Sequence, residues 1–233
     1  MTIWSHLAEL RHRIFICVIA IFAGGVIGYF LSPYILDWFL RYYREASNRP
    51  NGKFIFLSAL DPFLLRLKIA TYVGIMLASP VWLWQLWRFV TPALNPKEKR
   101  YAIPFILSSI VLFALGAVFA LLTVPAALEF LLTVGGSALT PALTADKFLG
   151  LVTLMILAFG VSFEFPVILV FLLLVRVLST EKLRSWRKAM YVGIFFFAAV
   201  ITPSQDPYSL FFMAIPMILF YEISILIGRA LKR

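Results

Sequence analysis

Residues 148–175 form an apolar run of about 28 residues, long enough to cross the hydrocarbon core of a bilayer as a helix. A chain carrying such a run has few ways to fold, because its backbone polar groups must be satisfied within the segment. Inside the run sits one carboxylate, Glu164, in the stretch Ala158-Phe159-Gly160-Val161-Ser162-Phe163-Glu164-Phe165-Pro166. An acid at membrane depth costs several kcal/mol, on the order of 3, unless a partner or a cavity answers it. Glu164 therefore either has a buried structural partner, such as Ser162 or a backbone group near Pro166, or faces a space that something else enters. An intramembrane acid is read first as functional.

Five further apolar segments accompany it. They cover about 14–31, 62–90, 101–124, 190–201 and 208–228. Hydrophobic residues make up 62% of the 233-residue chain and charged residues 14%. That balance exceeds what one soluble core uses and places the chain among polytopic membrane proteins. The expected fold is all-α: one integral membrane domain over 1–233, with six transmembrane helices and ordered outer loops at about 32–61 and 125–147. The segment 190–201 is only about 18 Å long as a helix, too short for a core of about 30 Å. Its outer end, Thr202-Pro203-Ser204-Gln205-Asp206-Pro207, is rich in breakers. The last two helices are thus expected to be a short hairpin, the sixth broken by Pro216. Beside them stands a long second helix, which Asp61 at the N-cap and Pro62 should start. This uneven profile suits a cupped, glove-like arrangement.

Charge sets the orientation. The net charge is +10, and 14 of the 21 Lys and Arg residues fall in alternate links: Arg11 and Arg13; Arg88 to Arg100; Arg176 to Lys188; Arg229 to Arg233. The opposite links are richer in acid. Both termini are expected in the cytoplasm. Clustering of cations between apolar runs argues for topology and against a nucleic-acid partner. The single cysteine, Cys17, excludes an internal disulfide, and the two histidines, His6 and His12, leave no membrane-depth triad or metal cluster to expect. No cofactor is expected.

Two acids on the cytoplasmic side stand out. Glu9 lies on an amphipathic lead-in, with Trp4, Leu7, Leu10 and Ile14 on one face and His6, Glu9 and Arg13 on the other. Its plain role is an i,i+4 pair with Arg13. Glu98 follows Asn95-Pro96-Lys97, a good helix start, and its plain role is a cap. A cap uses one carboxylate oxygen and leaves the other for a guanidinium. Glu222 is expected near the cytoplasmic interface, either snorkelling or paired with Arg229. Asp206 is expected to cap the last helix.

These residues carry a resemblance. His6-Leu7-Ala8-Glu9-Leu10-Arg11-His12-Arg13, the stretch from Ser79-Pro80 through Trp87-Arg88-Phe89-Val90-Thr91-Pro92-Ala93-Leu94, Glu98-Lys99-Arg100, the Glu164 segment, Ala214-Ile215-Pro216 and Tyr221-Glu222-Ile223 occur in order along nearly the whole chain. The chain resembles TatC, the multispanning receptor subunit of the twin-arginine protein translocase. The resemblance implies that Glu9 and Glu98, helped by Arg11, Gln85, Phe89 and Leu94, receive the paired arginines of a signal peptide on folded cargo. It implies that Glu164 is an intramembrane polar point for a partner helix or an inserted signal peptide. The outer turn with Thr202 and Asp206 would be a docking edge for single-span TatA/TatB-type subunits. It further implies a multi-pass protein of the cell inner membrane, in contact with lipid. That protein would act as a homo-oligomer within a larger complex, driven by proton motive force, and would not be an enzyme. The outer turn is about one residue longer than the family pattern, Leu210 stands where a polar residue is often met, and Asn95-Pro96-Lys97 replaces a Tyr-based entry. The first rival expectation is a proton- or ion-coupled small-solute transporter using Glu164; the second is an intramembrane enzyme, for which Ser162 beside Glu164 is a poor nucleophile–base pair with no membrane histidine.

Overall fold

The structure is a computed structural model that describes residues 3–47, 53–90, 102–134 and 144–231. Its described part is helical: α1 (Ile3–Ala46), α2 (Asp61–Leu77), α3 (Ser79–Val90), α4 (Ala102–Thr133), α5 (Ala145–Ser162), α6 (Phe165–Leu174), α7 (Thr180–Ser185), α8 (Arg187–Ile201) and α9 (Pro207–Ala230). The one β contact among the described residues is an isolated bridge from Ile55 to Thr144. By length and apolar content, four described elements, α1, α4, the α5–α6 stretch and α9, can each cross a membrane, and α2 with α3, bent by 50°, makes up to a fifth if the pair counts as one span.

The breaks have local causes. The run 62–90 is mostly apolar, yet α2 stops at Ala78 and α3 restarts at Ser79. Pro80 has no N–H to give, and its ring conflicts with the carbonyl four residues earlier. The run 148–175 divides in the same way at Phe163–Glu164, ahead of Pro166. Prolines elsewhere do not break their helices: α1 runs through Pro33, α4 through Pro125 and α9 through Pro216. As a result the expected loop at 32–61 is helical as far as Ala46, and α4 outruns the expected end at 124. Of the last two helices, α8 is the short one with 15 residues; α9 has 24, because its apolar run carries on past Pro216. Asp61 starts α2 without capping it: its carboxylate turns back and accepts from the N–H groups of Leu57 and Ser58 at 2.8 and 2.9 Å.

The chain gathers into two compact units. The first holds α1 to Arg44, α2, α3, α4 to Ile110 and the start of α5 to Leu149. Within it α1 and α2 touch backbone to backbone. A Cβ on Gly74 would lie 2.5 Å from the Ile21 carbonyl oxygen, so only glycine permits this approach. Phe148 is fully buried among the rings of Phe39, Tyr43 and Phe54, at centroid distances of 6.0, 5.3 and 5.6 Å. Lys68 and Asp146 pair at 2.5 Å and tie α2 to α5. The Trp87 indole N–H donates to Ser109 Oγ at 2.7 Å, fastening α3 to α4.

The second unit holds the rest of α4 and α5 with α6 to α9. In it α9 packs on both α6 and α8. Tyr221 on α9 is fully buried, and its hydroxyl donates to the Leu183 carbonyl at 2.6 Å. Glu222 pairs with Arg187 of α8 at 2.5 Å and accepts from the Tyr191 hydroxyl at 2.6 Å. The expected partner, Arg229, lies two turns further along the same helix; Arg187 comes from the neighbouring helix, which sequence distance concealed.

Candidate functional site

The lead-in that the sequence marked as amphipathic is the first stretch of α1, and it places Glu9 and Arg13 one turn apart on one face. Arg13 engages Glu9 Oε1 through both Nε and Nη2, the Nε contact at 3.1 Å. The third guanidinium nitrogen, Nη1, donates to Gln85 Oε1 on α3 at 3.2 Å. One arginine thus joins a carboxylate and an amide that are far apart in sequence. Glu9 and Arg13 are mostly shielded, with side-chain exposures of 23% and 13%, so this pair outweighs a fully solvated one. Beside it lies a cleft of about 190 Å³ lined by Leu10, Arg13, Ile14, Cys17, Trp82, Gln85, Leu86 and Phe89. Cys17 is part of its wall, in keeping with a packed side chain.

Of the residues expected here, Glu9, Gln85 and Phe89 come together. Arg11 is exposed on α1. Leu94 and Glu98 lie outside the described residues. Arg13 was not among the expected ligands. Its i,i+4 spacing from Glu9 was visible, but its reach to Gln85 was not.

Glu164 is buried, 7% exposed, at the break between α5 and α6. Its amide donates to Val161 and its carbonyl accepts from Ile168, so the backbone passes through a tight turn there. The side chain does not cap α6. Ser162, considered as its partner, donates instead to the Met213 sulfur at 3.6 Å. Phe163 is wedged between Phe119 and Phe220, at 5.3 and 5.0 Å, which holds the turn in place. Next to it, Val161, Ser162, Phe165, Ile168, Met190, Gly193, Ile194, Phe197 and Met217 line an apolar groove of about 420 Å³. Gly193 has nothing within 4 Å of its missing side chain, so the groove floor is open there.

The turn between α8 and α9 is the third polar place. Asp206 caps α9: its Oδ1 accepts from the Ser209 N–H at 2.8 Å. The Thr202 hydroxyl donates to the Ala198 carbonyl at 2.7 Å. Asp206 Oδ2 and the hydroxyls of Ser204 and Ser209 are buried with no hydrogen-bond partner among the described residues. Gln205 takes the left-handed conformation, φ 48°, that lets the turn close.

Membrane-length helices, a carboxylate–guanidinium–amide network at one helix entry and an acid buried at a helix break define a polytopic, all-helical membrane protein. A family described as "Sec-independent protein translocase protein (TatC)" matches residues 5–216. The chain belongs to the TatC family, whose members are components of a protein translocase and not enzymes. A TatC relative from Aquifex aeolicus is 40% identical, covering 100% of this chain and 97% of its own length. One from Carboxydothermus hydrogenoformans is 38% identical, over 100% and 94%. One from Frankia casuarinae is 42% identical over 98% of this chain, which spans 65% of that longer protein. The crystal structure of a twin-arginine translocase receptor, TatC, superposes with a TM-score of 0.79 at 40% identity, over 98% of this chain and 100% of that one.

Proposed function

We propose that this chain is the receptor core of a twin-arginine translocase, binding the paired arginines of signal peptides at Glu9, Arg11, Gln85, Phe89, Leu94 and Glu98. The observation that carries the reading is the Glu9–Arg13–Gln85 network beside an apolar cleft. It already accommodates one guanidinium between a carboxylate and an amide. A signal-peptide arginine brings the same planar donor set, and lysine does not. Phe89 and the cleft's apolar lining suit the hydrophobic residues that accompany the pair.

Glu164 serves as the intramembrane polar point for a partner's single transmembrane helix or for the inserted peptide. The neighbouring apolar groove with its open floor at Gly193 supports this. Thr202 and Asp206 form a docking edge for TatA/TatB-type subunits. The hydrogen bonds of Thr202 and Asp206 to the Ala198 carbonyl and the Ser209 N–H hold the turn that presents the exposed Gln205, Pro207 and Tyr208 to such a partner. Both termini face the cytoplasm, the membrane is the cell inner membrane, and transport by the oligomeric complex runs on proton motive force. The test is binding of detergent-solubilised protein to a twin-arginine signal peptide and to its twin-lysine version. The reading expects the arginine peptide to bind at least tenfold tighter. Equal affinities would refute it.

A further inference from the structure

The link between α6 and α8 carries a second, unrelated charge feature. Residues 176–188 contain five cations, Arg176, Lys182, Arg184, Arg187 and Lys188, against one acid, Glu181. Arg187 is engaged with Glu222. The other four form no ion pair among the described residues. Arg176, Lys182, Ser179, Ser185 and Glu181, with Val177 and Leu178, line a shallow, widely open cavity of about 500 Å³.

Arg176 holds the position just past the end of α6, with its N–H bonded to the Leu173 carbonyl at 3.1 Å and φ at 60°. That is the left-handed helix-end position where glycine is favoured and a side chain is strained. An arginine kept in an unfavourable conformation at the mouth of a polar cavity suggests that its guanidinium has a task. The link also exposes apolar side chains: Val177 after α6 is 63% and Trp186 at the end of α7 46% exposed, and Lys182 lies over the Trp186 ring at 5.9 Å. Cations beside exposed tryptophan at the end of a membrane-length helix are the composition of a membrane–water interface.

We propose that this cavity binds the phosphate headgroup of an anionic phospholipid. Arg176 and Lys182 donate to the phosphodiester oxygens, the Ser179 hydroxyl, which accepts from the Lys182 N–H and keeps its own proton to give, adds a third donor, and Val177 and Trp186 lie against the acyl-chain end. Basic pockets at helix ends take such headgroups by charge and hydrogen bonding together. The proposal does not depend on the signal-peptide site, and it holds whichever face of the membrane the turn occupies.

The experiment is thermal unfolding of the purified full chain in a neutral detergent. Phosphatidylglycerol, phosphatidylcholine or inorganic phosphate is added in separate arms. Phosphatidylglycerol is expected to raise the midpoint, and the other two to leave it unchanged. Arg176→Gly suits the left-handed backbone and therefore folds; it and Lys182→Gln should each remove at least half of the lipid shift, and the double variant all of it. Arg184→Gln, outside the cavity, should keep the shift. An undiminished shift in the double variant would overturn the site, as would a shift lost equally in Arg184→Gln. An equal shift with phosphatidylcholine or with phosphate alone would overturn the assignment to an anionic lipid headgroup.

Discussion

At the scale of single residues, Arg13 alters how the acidic site is understood. Glu9 is occupied from within by a guanidinium of the chemistry proposed for its ligand. An incoming arginine must share or displace that contact. Replacing Arg13 with Gln removes the internal competitor, whose pairing is worth about 0.5–1 kcal/mol for a partly shielded pair. Twin-arginine peptide affinity should then rise by roughly two- to fivefold, measured by titration calorimetry; a fall in affinity would mean that Arg13 is itself part of the receptor surface. At the α8–α9 turn, Asp206 satisfies one N–H at the start of α9. Loss of that cap in Asp206→Ala should cost about 1–2 kcal/mol, while Asp206→Asn keeps an acceptor oxygen and most of the stability. Gln205, at φ 48°, should respond the other way: Gln205→Gly relieves about 1 kcal/mol of backbone strain. A raised unfolding midpoint would show it.

Elements come next. The contact between α1 and α2 depends on backbones too close for any side chain at Gly74. Adding a methyl group there pushes against a carbonyl oxygen of α1, which cannot swing aside as a side-chain end could. Gly74→Ala should therefore destabilise by about 1–3 kcal/mol, the usual range for overpacking, while Gly193→Ala, in the interior of α8 with open space around it, should stabilise by up to about 1 kcal/mol. Comparing the two midpoints separates packing from the propensity of glycine itself. The helix breaks show what a sequence can signal. Pro80 and Pro166 do mark breaks, and Pro33, Pro125 and Pro216 do not. The residue type is the same in all five, so the outcome depends on surroundings that no local window contains.

For the whole molecule, apolar run length suffices to identify an all-helical membrane chain, because it follows from the solvent rather than from detailed packing. The Asp206 cap was equally legible, since donor and acceptor are three residues apart. The Arg13–Gln85 bond spans 72 positions and the Arg187–Glu222 pair spans 35. Pairings of that kind are decided by which helices become neighbours, and composition does not record that. Glu164 was conspicuous because a carboxylate is rare at membrane depth. That its neighbour Ser162 turns to Met213 could be learned only from the packed helices.

The central claim is that the Glu9 carboxylate receives a signal-peptide guanidinium, and a double-mutant cycle tests it most directly. Binding is measured for the native chain and Glu9→Gln, each against a peptide with its arginine pair and one in which the pair is replaced by lysines. A charge-assisted bidentate contact predicts a coupling energy of at least about 1.5 kcal/mol, roughly tenfold in the ratio of affinities. A coupling near zero, with both substitutions weakening binding independently, would contradict the account and leave Glu9 an internal partner of Arg13 with no part in recognising the peptide.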